Sequence, residues 1–162
     1  MKGDGAKAKT PPDCSGKRFA VVVAQFYEEI AQQLVDGARR ALADCGVVDV
    51  DTFDVPGCFD LPLACRNLID TDRYDALVAL GVVIRGETPH FEFVAGECAR
   101  GLMDVQLATG IPIGFGVLTT ESAVQAQERA DPQRGNKGYE AAAAAAALVH
   151  LTAGVPRAGF RS

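Results

Sequence analysis

The sequence predicts an α/β fold: a single-domain, three-layer α/β/α sandwich on a four-stranded parallel sheet. Four short strand-length segments recur, the first of them, RFAVVVAQ, a Val-rich apolar run with the mark of a strand buried on both faces. Segments of helical length and spacing separate them, the pattern of strands joined by crossover helices. The 162 residues are 48% hydrophobic and 23% charged, enough for one core and too apolar for wholesale disorder.

Residues 18–25 (RFAVVVAQ) form the first strand. Residues 28–45 follow as a helix, because Ile30, Leu34, Val35, Ala38 and Leu42 recur on one face and Gly46 stops it. The second strand spans 47–55 and ends at Pro56-Gly57, and a short helix covers 61–69. The third strand runs over 76–80 and is expected to end at Gly81. A long helix over 91–109 stops at Gly110, and the fourth strand is 111–117. A helix over 122–130 and a polar, turn-rich stretch over 131–138 lead to a last helix from 137 to about 151, driven by seven consecutive alanines. Residues 1–17, with their Gly, Lys, Pro and Asp content, read as a flexible arm, 18–156 as the folded domain and 157–162 as a tail.

The chain carries 26 alanines and 17 glycines, no Trp, and only 8 Phe and 3 Tyr. Such an interior packs backbone close to backbone and has few large side chains to wall in a ligand, so one chain is not expected to complete a pocket alone. The net charge of −5 argues against a nucleic-acid partner. No apolar run approaches the ~20 residues that span a bilayer, and the N-terminus lacks the apolar stretch of a secretory signal. Cys14, Cys45, Cys58, Cys65 and Cys98 are odd in number, scattered and without a CxxC pair. That usage fits reduced thiols in the cytoplasm, not disulfides or zinc. The absence of GxGxxG after a strand and of GxxxxGK[ST] removes support for dinucleotide or nucleoside triphosphate binding.

In an open parallel sheet, ligands bind beyond the carboxyl ends of the strands. Phe26-Tyr27 follow the first strand, Cys58-Phe59-Asp60 the second, and a long segment through Arg85 to His90 the third. Gly86-Glu87-Thr88 precede a helix that opens near Pro89; free amides at a helix start suit an anion, and Thr88 adds a hydroxyl. His90, in that first turn, either suits proton transfer near neutral pH or is a capping or surface histidine, with Thr88 only the N-cap. Phe26 and Phe59 either stack on a planar ring or belong to the core. Asp60 either accepts from ligand hydroxyls or caps the following helix. Arg129, Arg134 and Lys137 form a basic stretch, read either as a phosphate clamp or as a solvated loop. A Cys58–His90 nucleophile and base pair lacks a visible third member, and His150 reads as structural.

VPGCFDLP (55–62), YDALVALGVVIRGETPHF (74–91), PIGFGVLTT (112–120) and QAQERADPQRGNKGYEAA (125–142) together resemble the 6,7-dimethyl-8-ribityllumazine synthases, and the resemblance runs from about residue 19 to 151. It implies a flavodoxin-like fold and a transferase reaction of riboflavin biosynthesis. There, 5-amino-6-(D-ribitylamino)uracil condenses with 3,4-dihydroxy-2-butanone 4-phosphate, phosphate and water leave, and the lumazine ring closes without metal or redox cofactor. By position, the resemblance gives Phe26 to the pyrimidine ring and Phe59 and Asp60 to the ribityl side. It gives backbone groups of Val82, Val83 and Ile84 to the uracil, and amides of Glu87 and Thr88, with Arg129, to the phosphate. His90 becomes the proton-transfer residue. Phe115, Lys137 and Glu140 would come from an adjacent subunit.

The implied partners are the two small-molecule substrates, further copies of the chain in a pentamer or a multiple of it, and riboflavin synthase; no nucleic acid and no membrane. Pro11-Pro12 would hinder strand addition to a neighbour's sheet, which favours a free pentamer. The chain departs from the family pattern at Tyr27, usually Asn, at Asp60, usually Glu, and at Cys58, usually a small residue such as Ala. A non-catalytic lumazine- or flavin-binding or shell-forming protein is the alternative; Asp60 and Tyr27 are its only support, and intact His90, Arg129 and Lys137 speak for the enzyme.

Overall fold

The computed structural model describes residues 11–155. The elements follow in order: β1 (Arg18–Ala24), α1 (Glu28–Asp44), β2 (Asp49–Val55), a 3-10 turn over Cys58–Asp60, α2 (Leu61–Asp70), β3 (Ala76–Ile84), α3 (His90–Thr109), β4 (Ile113–Thr120), α4 (Ala123–Ala130) and α5 (Lys137–Thr152). All strand pairings are parallel, in the order β2-β1-β3-β4. The alternation of side chains along β1 divides the core. Phe19, Val21 and Val23 pack with α1, α4 and α5, while Ala20, Val22 and Ala24 pack with α2 and α3. The expected three-layer sandwich on four parallel strands is the observed one.

β2 begins at Asp49 rather than at 47, and the bounds of β3 and β4 also differ from expectation. β3 does not stop at Gly81 but runs to Ile84. A Cβ at Gly81 would lie 2.6 Å from Cys58 Sγ and 3.1 Å from Ala24 Cβ, so this glycine makes room inside a strand rather than a turn after it. β4 occupies 113–120, not 111–117. Its Gly114 and Gly116 let α5 lie close: a Cβ on Gly114 would fall on the Ala141 carbonyl, and one on Gly116 would come 3.0 Å from Ala141 Cβ. The alanine run thus serves close approach as well as helix propensity, with Ala141, Ala142, Ala145 and Ala146 buried. Tyr139 donates its hydroxyl to Asp44 at 2.7 Å, joining the start of α5 to the end of α1.

Of the expected arm, residues 1–10 lie outside the described residues, as does the tail 157–162. Residues 13–15 are docked: Cys14 is buried, its amide donates to the Cys45 carbonyl at 2.8 Å, and its thiol donates to the Ala146 carbonyl. His150 meets the Asp13 carbonyl at 3.1 Å, which fits a structural reading of that histidine.

Gly138 is where α5 touches α1: an added Cβ would overlap the Leu34 carbonyl. Gly138→Ala should therefore destabilise the chain by about 3 kcal/mol in equilibrium unfolding, since neither backbone can yield cheaply. A loss below about 0.5 kcal/mol would show that the helices separate freely.

Candidate active site

The ladder between β1 and β3 ends at the Val23–Leu80 pair, while the β3–β4 ladder continues to Ile84–Thr120. In a parallel strand, a residue's N–H and C=O point the same way, and successive residues alternate sides. Leu77 and Arg85 donate their amides toward β4, to Pro112 and Thr120. Val83, an even number of residues from both, therefore spends its backbone groups on β4. Val82 and Ile84 turn theirs to the side where β1 has ended. Among the described residues, the Val82 carbonyl receives only a long sulfur contact, from Cys58 Sγ at 3.7 Å.

That open edge forms the floor of a cavity of about 440 Å³, with Phe26, Phe59 and His90 at its rim. Phe26 is 74% and Phe59 64% exposed, so neither is a core residue and both present ring faces to whatever enters. Tyr27 meets Phe26 edge-on, with centroids 5.0 Å apart. Phe93 and Val94 also line the cavity. Sequence reasoning missed them, although they stand three and four residues beyond His90, on the same helix face.

His90 is the first residue of α3, and the helix has no side-chain cap. Thr88 is not the N-cap; Pro89 occupies that position. Gly86, Glu87 and Thr88 are exposed, and among the described residues their amides donate to no other group. A helix start with free amides thus lies beside an apolar, ring-shaped slot. Asp60 does not line the slot. Its Oδ2 accepts from the Gly57 amide at 3.0 Å and closes the turn that presents Phe59. It gives α2 no side-chain cap either.

The remaining expected residues lie elsewhere on the subunit. Phe115, Lys137 and Glu140 line a second cavity of about 320 Å³ that shares no residue with the first, and Lys137 Nζ pairs with Glu140 at 2.8 Å. Arg129 lines neither cavity and donates to the Gln125 carbonyl of its own helix. Arg134 is held by Asp131 and Glu128. A larger hollow near Lys17, Asp75 and Gly110 lies at the opposite ends of the strands, away from this chemistry.

Cys58 is no nucleophile. Burial pushes its thiol up to about 11, and its proton points to the Val82 carbonyl. Among the described residues, no group of three or more His, Cys, Asp or Glu side chains is placed to hold a metal ion, and no helix is long and apolar enough to cross a membrane.

Fold and site define an α/β protein with a small-molecule cavity at the carboxyl edge of a parallel sheet, an apolar slot joined to an anion-suited helix start. The family model described as 6,7-dimethyl-8-ribityllumazine synthase matches residues 16–153. The 6,7-dimethyl-8-ribityllumazine synthase of Nitratidesulfovibrio vulgaris is 45% identical over 141 residues, covering 86% of this chain and 90% of that protein. The chain belongs to the 6,7-dimethyl-8-ribityllumazine synthase family.

Burial also raises Cys65 and Cys98 to about 12 from an ordinary value near 9.0. Folding keeps these thiols neutral, so the linked stability is complete below pH 9 and falls as pH rises toward 11–12. At pH 8 the native protein should resist iodoacetamide at Cys58, Cys65 and Cys98, whereas the unfolded chain reacts fully. Rapid native labelling of Cys58 would contradict its burial and its bond to Val82.

Proposed function

We propose that the slot and the adjoining helix start are where this chain carries out its family's reaction. The chain is an enzyme of riboflavin biosynthesis, a transferase that makes 6,7-dimethyl-8-ribityllumazine from 5-amino-6-(D-ribitylamino)uracil and 3,4-dihydroxy-2-butanone 4-phosphate. One observation carries the placement: β3 leaves paired donors and acceptors of Val82 and Ile84 open beneath exposed aromatic rings. A uracil ring has the matching N–H and C=O groups in one plane and π-faces for Phe26. Phe59 and the turn closed by Asp60 stand on the ribityl side. The Oδ1 of Asp60, which accepts no hydrogen bond among the described residues, remains for a hydroxyl.

The phosphate belongs at the amides of Glu87 and Thr88, where the helix start favours negative charge. Arg129 serves as its counter-charge, as the resemblance implies. With both substrates in place, the amine is held against the ketone carbonyl, and positioning supplies much of the acceleration. His90 transfers the protons that imine formation, phosphate departure and ring closure require.

The slot is open on one side, and the second cavity, with Phe115, Lys137 and Glu140, is open on another. Both are completed if copies of the chain associate in a ring, one subunit's Phe115 closing its neighbour's slot. Exposed apolar side chains at Phe93, Met103, Leu107 and Phe115 support such packing. A pentamer, or a multiple of it, in the cytoplasm is the assembly we propose, with riboflavin synthase as a further partner. Light scattering reads the mass, and a monomer with full activity would refute the shared site.

Incubation with both substrates should release phosphate and a fluorescent lumazine; an intact assembly that makes neither would reject the placement. His90→Ala should lower kcat by about a hundredfold while a substrate analogue still binds. Arg129→Ala should raise KM for the phosphate substrate by about tenfold and leave KM for the aminouracil unchanged. Equal kcat in the His90 variant, or an unmoved KM in the Arg129 variant, removes that residue from its role.

A further inference from the structure

Arg85 stands between the open edge of β3 and the helix start of α3, in an otherwise acidic neighbourhood. Its place next to an anion-suited loop makes it look like a phosphate ligand. The geometry gives it another task. Its Nε pairs with Glu121 Oε2 at 2.9 Å and its Nη1 with Glu92 Oε1 at 3.2 Å, and its guanidinium lies over the Phe91 ring at 4.4 Å. Nε and Nη1 are thus committed to carboxylates and one planar face to an aromatic ring. Its amide donates to the Thr120 carbonyl at 2.9 Å.

These contacts span the loop 86–89. The backbone of Arg85 fixes where the loop leaves the sheet. Its side chain crosses to Phe91 and Glu92 and fixes where the loop enters α3. Glu121 is itself anchored: its amide donates to Gln125 Oε1 at 2.9 Å while Gln125 donates to the Ser122 hydroxyl, a reciprocal cap on α4. Inside the loop, the Glu92 amide to the Pro89 carbonyl is the one backbone bond among the described residues. Little else sets the directions of the amides at Gly86, Glu87 and Thr88.

We propose that Arg85 is a positioning residue that staples the ends of loop 86–89 and so aims its amides at the phosphate, without itself touching the phosphate. The proposal rests on the assignment of that loop to the phosphate. The staple needs a planar fork over a ring, so a lysine, with one point charge, cannot replace it. The ion pairs are exposed and contribute little to global stability. The role therefore shows in binding of one substrate and not in unfolding.

The test compares Arg85→Lys and Glu92→Gln with the wild-type assembly, measuring KM for each substrate and the thermal midpoint. Arg85→Lys should raise KM for the phosphate substrate about tenfold and hold KM for the aminouracil within about twofold, with the midpoint nearly unmoved. Glu92→Gln should shift the same KM by about threefold. An unchanged KM, an equal rise for both substrates, or an unfolding loss that accounts for the activity overturns the proposal. On the wild type, inorganic phosphate should slow amide exchange at Glu87 and Thr88. If it does and Arg85→Lys binds normally, only the staple falls; if it does not, the phosphate assignment falls with it.

Discussion

Beyond the Val23–Leu80 pair, β3 has no strand beside it on its β1 side from Gly81 to Ile84 among the described residues. A strand edge carries unpaired donors and acceptors, and Val82 and Val83 are buried, where unpaired polar groups are costly. β4 satisfies Val83, but among the described residues only the weak Cys58 thiol approaches the Val82 carbonyl. The fold thus retains hydrogen-bonding capacity that a planar ligand with both N–H and C=O groups can satisfy. The aromatic rim, the turn over Cys58–Asp60 and the first turn of α3 surround that edge.

Small residues make the arrangement possible. Gly81 lets Cys58 and Ala24 close in on β3, and Gly114, Gly116 and Gly138 let α5 settle against the sheet and α1. The 26 alanines and 17 glycines follow from this close packing. Phe19 and Tyr74 are buried in the core, while Phe26, Phe59, Phe93 and Phe115 are left exposed. A subunit built this way has an interior that needs no ligand and a rim that is open.

Order and type of the elements were legible because Val-rich strands and helically spaced Ile, Leu and Ala leave distinct periods. The ends of β3 and β4 were not. Gly81 looks like punctuation in one dimension, and only its neighbours reveal that it makes space. The same limit shaped the site. Phe26, Phe59 and His90 could be found because each follows a strand, and the open backbone of Val82 and Ile84 came only from the family resemblance. Asp60 offered two readings, ligand acceptor or helix cap, and the structure adds a third, closure of its own turn on Gly57. Arg85 was visible as a charge, but its commitment to Glu92 and Glu121 depends on contacts 7 and 36 residues away.

The alternation along β3 gives the most direct test of the account. Amide hydrogen exchange should be followed at Val82, Val83 and Ile84 as the ribitylaminouracil substrate is added alone to saturation. The account predicts that exchange slows by about tenfold or more at Val82 and Ile84, while Val83, already bonded to β4, is unchanged. Saturation without protection at Val82 and Ile84 would contradict it and place the ring elsewhere.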